Sequence, residues 1–162
     1  AVVDLHGRIA DVVCLSCGGR CGRHELHNRL AVLNPRFAVP AAADIGPDGD
    51  AMLDHVDDFR IASCPACGGI LKPDVVFFGE NVPAERVARC YALVDAAEAL
   101  LVAGSSLTVM SGFRLVRHAY RAGKPIVIVN RGPTRGDDLA SVKVDDGCSQ
   151  VLERLAEAPI VA

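Results

Sequence analysis

The spacing of apolar residues changes about halfway along the chain. From residue 83 onward, compact apolar runs alternate with stretches of helical period. The runs are ALLVAG at 99–104, PIVIVN at 125–130 and a shorter VKV at 142–144. Between and around them, residues 83–97, GFRLVRHAYRAG from Gly112 onward and residues 149–158 repeat apolar positions three or four apart. Asn81, Pro83 and Glu85 mark the start of the first of these helices. Buried strands alternating with helices of this length predict an α/β fold with a parallel sheet and crossover helices.

The first half follows other rules. Val2, Val3 and Leu5 read as the end of a strand, and Gly7 allows a sharp turn after it. RIADVV at 8–13 reads as a second strand, feeding Cys14. Leu26, Leu30, Ala31 and Leu33 fall at helical spacing, so a short amphipathic helix is expected over 24–33, closed by Pro35. Residues 34–58 are rich in Pro, Ala, Asp and Gly, with PDGD at 47–50 as a turn. Such a loop buries too little surface to order itself. A short apolar run at 75–78 reads as a further strand.

With 162 residues, 51% of them hydrophobic, the chain can bury a core of its own. A net charge of -3 and a pI near 5.9 provide no phosphate-neutralising surface and exclude nucleic acid as the main partner. No apolar run reaches the roughly 18 residues of a spanning helix, and no leader pattern opens the sequence, so neither a membrane partner nor secretion is expected. Seven cysteines is an odd number, and four of them form two C-x-x-C pairs. That pattern fits reduced thiols holding a metal, and with it a cytoplasmic compartment.

The pairs are Cys14–Cys17 and Cys64–Cys67, each followed by Gly-Gly. Four thiolates at this spacing make a closed tetrahedral shell for one structural Zn2+, with iron as the alternative occupant. Closing it folds the loop-rich excursion back on itself. Cys21, His24 and His27 lie nearby, but Cys21 does not repeat the knuckle spacing and the two histidines belong to an exposed helix face. Cys90 reads as a buried helix residue.

In open parallel sheets, ligands bind outside the carboxyl ends of the strands. Three such ends carry suitable residues: Gly104, Ser105 and Ser106; Asn130, Arg131 and Gly132; and Gly147 with Cys148 before the last helix. Each alone is ordinary turn chemistry. Neither a P-loop nor a full G-x-G-x-x-G is present.

Taken together, LHG at 5–7, the paired knuckles, KPDVVFFGE at 72–80, AGSSLTV at 103–109 and VNRGPT at 129–134 resemble the sirtuins, NAD-dependent protein lysine deacylases. VLNP at 32–35, PDGD at 47–50 and PTRGDDLA at 133–140 are most similar to the class II branch. The resemblance implies a partial Rossmann-like, NAD-binding domain over 1–7 and 75–162 and a small zinc-binding module over 8–74. It makes His6 the catalytic general base, a role an imidazole fills at neutral pH. The cofactor-binding positions it implies are Gly104, Ser105, Ser106, Asn130, Arg131, Gly132 and Cys148, although Arg131 stands where the family more often has an apolar residue. Val76, Phe78, Gly79 and Glu80 match the segment that pairs with an acyl-lysine peptide or protein as an added strand.

The reaction implied releases nicotinamide and moves the acyl group from lysine to ADP-ribose. The family's Gly-Ala-Gly-Ile-Ser loop, its acidic-Phe-Arg segment and its Gln-Asn-Val-Asp motif are not in this sequence. The expectation is therefore a fragment or truncated product that catalyses poorly alone. The competing expectations are a zinc-stabilised module that binds an acyl-peptide or protein without chemistry, and a protein ADP-ribosyltransferase.

Overall fold

The computed structural model describes residues 2–37 and 56–158; PDGD at 47–50 and most of the loop-rich excursion lie outside the described residues. By contacts the chain forms two compact units, His6–Glu80 and the pair of segments Ala1–Leu5 with Asn81–Ala162.

The first unit is built on a three-stranded antiparallel sheet. Strand β1 (Gly7–Cys14) lies in the middle, flanked by β2 (Arg20–Gly22) and β3 (Leu71–Val75). Gly7 enters β1 with φ of 81°, a left-handed conformation open to glycine, so the turn expected after His6 is present. Val2, Val3 and Leu5 form no strand. The strand expected at 75–78 lies earlier, over Leu71–Val75, and the apolar residues after it are largely exposed: Phe77 by 51% and Phe78 completely. The shift has a physical cause in Asp74, which is buried and bonded to the Arg20 guanidinium at 2.6 Å across the sheet, so β3 carries a paired charge inside. Pro73 tolerates its place because β3 is an edge strand and the register slips between Arg8 and Val12. The pairing Gly7↔Val75 carries the end of β3 with this unit.

Helix α1 (Arg23–Leu33) forms where the apolar spacing places it, but the expected amphipathic face is not there: Leu26 and Leu30 are half-buried, Ala31, Val32 and Leu33 are exposed, and no residue is fully buried. Asn34 ends it. Its side-chain amide donates to the carbonyls of Leu30 and Arg60, both at 2.9 Å, and its oxygen accepts the Arg60 N–H at 2.7 Å. One side chain thus closes the helix and ties it to the segment leading into the second cysteine pair.

The second unit is the α/β half. Helix α2 (Ala84–Ala96), β4 (Leu100–Ala103), α3 (Met110–Arg121), β5 (Ile126–Val129), β6 (Val142–Val144) and α4 (Cys148–Glu157) follow in order. The strands are parallel in the order β4-β5-β6, with Leu100↔Ile126 and Val127↔Val142 in register. The core joins Val94 of α2, Leu107, Val116 and Ala119, and Ile126 and Ile128 of β5. Cys90 is buried on α2 as expected. β4, expected to be buried, is half exposed, with Leu101 at 48%, because it forms the sheet edge while β5 takes the middle. Among the described residues no helix is long and apolar enough to cross a membrane.

Candidate functional site

Both cysteine knuckles have the same backbone design. Cys14 N–H donates to Gly19 O at 2.9 Å and Gly18 N–H returns to Cys14 O at 3.0 Å; Cys64 with Gly69, and Gly68 with Cys64, repeat the pair at 2.8 Å each. Gly18 and Gly68 sit at φ of 70° and 73°, which explains a glycine after each C-x-x-C. At Gly69 a Cβ would lie 2.9 Å from Cys14 Sγ and 2.5 Å from Ser16 Oγ, so the second knuckle presses its bare backbone against the first.

The four Sγ atoms of Cys14, Cys17, Cys64 and Cys67 all lie within 4.8 Å of one another. Cys14–Cys67 and Cys17–Cys64 are 3.6 and 3.8 Å apart, far longer than a disulfide. A tetrahedron with Zn–S bonds of about 2.3 Å has edges of about 3.8 Å, so the donor set fits zinc. The N–H groups of Cys17 and Ser16 lower the Cys14 thiol to about 6. Cys67 receives the Gly69 N–H, which lowers it, yet the neighbouring thiols of Cys17 and Cys14 leave it pushed up to about 12. Four thiolates crowded like this need a cation to be charged together. Cys21 lies in β2, and His24 and His27 are exposed on α1; among the described residues they join no metal-holding group.

His6 is exposed in the turn before β1, and its carbonyl accepts the Val76 N–H at 2.9 Å. The expected base and the expected peptide-binding segment are thereby fixed to one backbone ladder. Beyond Val76 the chain turns at once: Glu80 N–H donates to Phe77 O at 3.0 Å, and Gly79 takes φ of 87°. Lys72 Nζ, 2.5 Å from Glu80 Oε2, holds that carboxyl below its ordinary range, helped by the Phe77 N–H. Lys72 also lies 4.7 Å over the Phe77 ring.

In the α/β unit, the loops after the strands gather Gly104 and Cys148. A Cβ on Gly104 would stand 3.5 Å from Cys148 Sγ, and Val129 O accepts both the Gly104 N–H at 3.0 Å and the Cys148 thiol at 3.2 Å. Asn130, Arg131 and Cys148 line an open cleft of about 340 Å3 with Gly147, Ser149 and Gln150. Ser105 and Ser106 do not line it; their hydroxyls turn onto the Leu107 N–H at 3.2 Å and Thr108 Oγ1 at 3.0 Å. Leu107 has φ of 57° although it is no glycine, and it is buried. Backbone strain of this kind clusters at ligand-binding loops.

The residues that brace the Asn130 loop were not foreseen from the sequence. Gly132 N–H donates to Asp145 at 2.8 Å, and Lys143 Nζ reaches both Gly132 O and Asp137 at 2.8 and 2.9 Å. Asp137 accepts the Thr134 hydroxyl and N–H, which with Lys143 lower its carboxyl to about 2. The only signal was polar: a Lys alternating with valines in β6, and the acidic pair after the Gly-Pro-Thr turn.

Comparison with known proteins places this arrangement. The Sir2 family model matches residues 1–111. The chain is 53% identical over 160 residues to NAD-dependent protein deacetylase 1 of Mycobacterium avium (strain 104), covering 96% of this chain and 57% of that protein. It is 60% identical over 145 residues to NAD-dependent protein deacetylase 1 of Streptomyces coelicolor, covering 88% and 48%. A solved structure described as Sir2-p53 peptide-NAD+ superimposes with a TM-score of 0.68 at 27% identity, over 96% of this chain and 54% of that one. The chain thus spans about half the length of the curated relatives it matches. The knuckles, the strand-end loops and these matches make one case: the chain belongs to the Sir2 family.

Proposed function

We propose that this chain carries the acyl-peptide-binding and adenosine-binding parts of an NAD-dependent protein lysine deacylase. The observation that supports it best is the gathering of the strand-end loops, with Gly104 against Cys148 and with Asn130, Arg131 and Cys148 on one cleft that Gly104 does not line. Gly104 leaves room for close backbone approach, and Asn130, Arg131 and the amide of Gly132 offer polar contacts to a ribose and phosphate. The relatives named as NAD-dependent deacetylases and the Sir2 structure described with peptide and NAD+ support the same reading.

His6 is the general base in this proposal. Once the acyl-lysine oxygen displaces nicotinamide from the ribose carbon, His6 would take the proton of the neighbouring ribose hydroxyl, whose oxygen attacks the acyl carbon. One water would complete O-acyl-ADP-ribose as lysine leaves as the free amine. That makes the reaction an acyl transfer following nicotinamide release. Val76 presents its backbone to the acyl-lysine peptide, Phe78 and Gly79 wall the entrance, and Glu80 is held by Lys72 to shape the turn. Cys14, Cys17, Cys64 and Cys67 hold one structural zinc that keeps β1 and β3 in register and takes no part in the chemistry. The free thiols, four of them in the metal set, support a reducing, cytoplasmic compartment.

The test is formation of nicotinamide and O-acetyl-ADP-ribose from NAD and an acetyl-lysine peptide by the chain joined to the N-terminal part of a full-length relative, followed by mass spectrometry. Turnover that disappears in His6→Ala, with peptide and ADP-ribose binding retained, supports the proposal. Turnover unchanged in His6→Ala contradicts the role of His6, and binding of neither ligand contradicts the whole reading.

A further inference from the structure

The cysteine site has a neighbour that the fold and the catalytic reading leave unexplained. Arg29, on the face of α1 toward the second knuckle, donates from Nη2 to the carbonyl of Ser63 at 2.5 Å. Ser63 immediately precedes Cys64. The other arm, Nη1, is buried with no hydrogen-bond partner among the described residues. No carboxylate is in an ion pair with Arg29 among the described residues, whereas Arg8, Arg20 and Lys72 of the same unit pair with Asp11, Asp74 and Glu80. A partly buried guanidinium bonded, among the described residues, only to a neutral carbonyl is unfavourable unless negative charge lies close by.

The charge is at hand. Zinc bound by four thiolates carries a net charge of about −2, which in a partly buried site calls for outer positive charge. We propose that Arg29 is the outer-sphere cation of the zinc site, a positioning residue that offsets the charge of the tetrathiolate while its bond to Ser63 O fixes the approach of Cys64. Helix α1, which buries none of its residues fully, then has a second purpose beyond packing: it delivers this charge to the metal.

The experiment follows zinc release from the metal-loaded chain into a chelating dye, with helix content monitored by circular dichroism. Arg29→Gln is expected to release zinc about 10- to 100-fold faster, the range seen when outer partners of metal ligands are lost. Arg29→Lys, which keeps the charge, is expected to lie clearly between Arg29→Gln and the unaltered chain. Added salt should speed release from the unaltered chain and leave Arg29→Gln unaffected. Equal rates for Arg29→Lys and Arg29→Gln overturn the proposal, because they reduce Arg29 to a structural hydrogen bond. Zinc release from Arg29→Gln no faster than from the unaltered chain overturns it as well.

Discussion

The two units solve the problem of stability in opposite ways. In the α/β unit the buried hydrophobic residues are Cys90, Val94, Leu107, Val116, Ala119, Ile126, Ile128 and Val129, and most of them join one cluster between helices and sheet. Among the described residues of the metal unit they are Val12, Cys14, Ala62 and Cys64, and two of these are metal ligands. One unit is held by apolar surface removed from water, which a sheet flanked by helices supplies on its own. The other shows, among its described residues, little core beyond its sulfur atoms, so a metal-ligand set is expected to supply much of its folding free energy. Core packing tolerates modest change at many positions, whereas a tetrathiolate fails at any one of four.

Removing zinc should break the comparison most visibly. In small zinc domains the metal contributes about 10–16 kcal/mol, so a strong chelator should abolish the amide-exchange protection of β1, β2 and β3. The amides of β4, β5 and β6 should keep theirs. Loss of protection in both sheets would show that the α/β unit also depends on the metal.

Ile128→Ala makes the reciprocal test. Ile128 is wholly buried in the middle strand, and deleting such a side chain costs about 2–5 kcal/mol. Melting of the α/β unit should fall while zinc content stays at one per chain. A variant that loses its metal along with its stability would remove the distinction between the units.

The smallest effect concerns the braced loop after β5. Asp137 has its carboxyl lowered from 3.8 to about 2 by the Thr134 hydroxyl and N–H and by Lys143. A depressed carboxyl stabilises the fold fully above its ordinary pKa and loses that contribution as pH falls through the folded value. The melting temperature of the α/β unit should therefore decline between pH 4 and pH 2 more steeply than in Asp137→Asn. Identical pH profiles would show that the Thr134–Asp137–Lys143 brace carries no stability.

The same contrast decides how much could be read in advance. From α2 to α4 the α-helices and strands follow from apolar spacing, because α2, α3 and β5 share one core and the period records it. In the metal unit the period is a poor guide. β2 is three residues with Cys21 at its centre, too short to show a pattern. The strand placed at 75–78 lies instead at Leu71–Val75, since Asp74 is satisfied by Arg20 inside while Phe77 and Phe78 are left in solvent. The four ligands were legible because cysteine spacing states metal chemistry directly. Arg29 was not, since an arginine on a helix surface looks the same whether it faces solvent or a zinc site. The bracing of Gly132 by Lys143 and Asp145 was hidden for a similar reason: their partner is a backbone amide and carbonyl remote in sequence.

The central proposal is that the strand ends of the α/β unit receive the adenosine part of NAD while the cysteine knuckles of the metal unit take no part in binding it. Titration of the zinc-loaded chain with ADP-ribose, read from backbone amide NMR shifts, tests it most directly. The account predicts shifts at Gly104, Gly132 and Cys148, diminished in Asn130→Ala, with the knuckle amides of Gly18 and Gly68 unmoved. Shifts confined to the knuckles, or none at any soluble concentration of ADP-ribose, would contradict it.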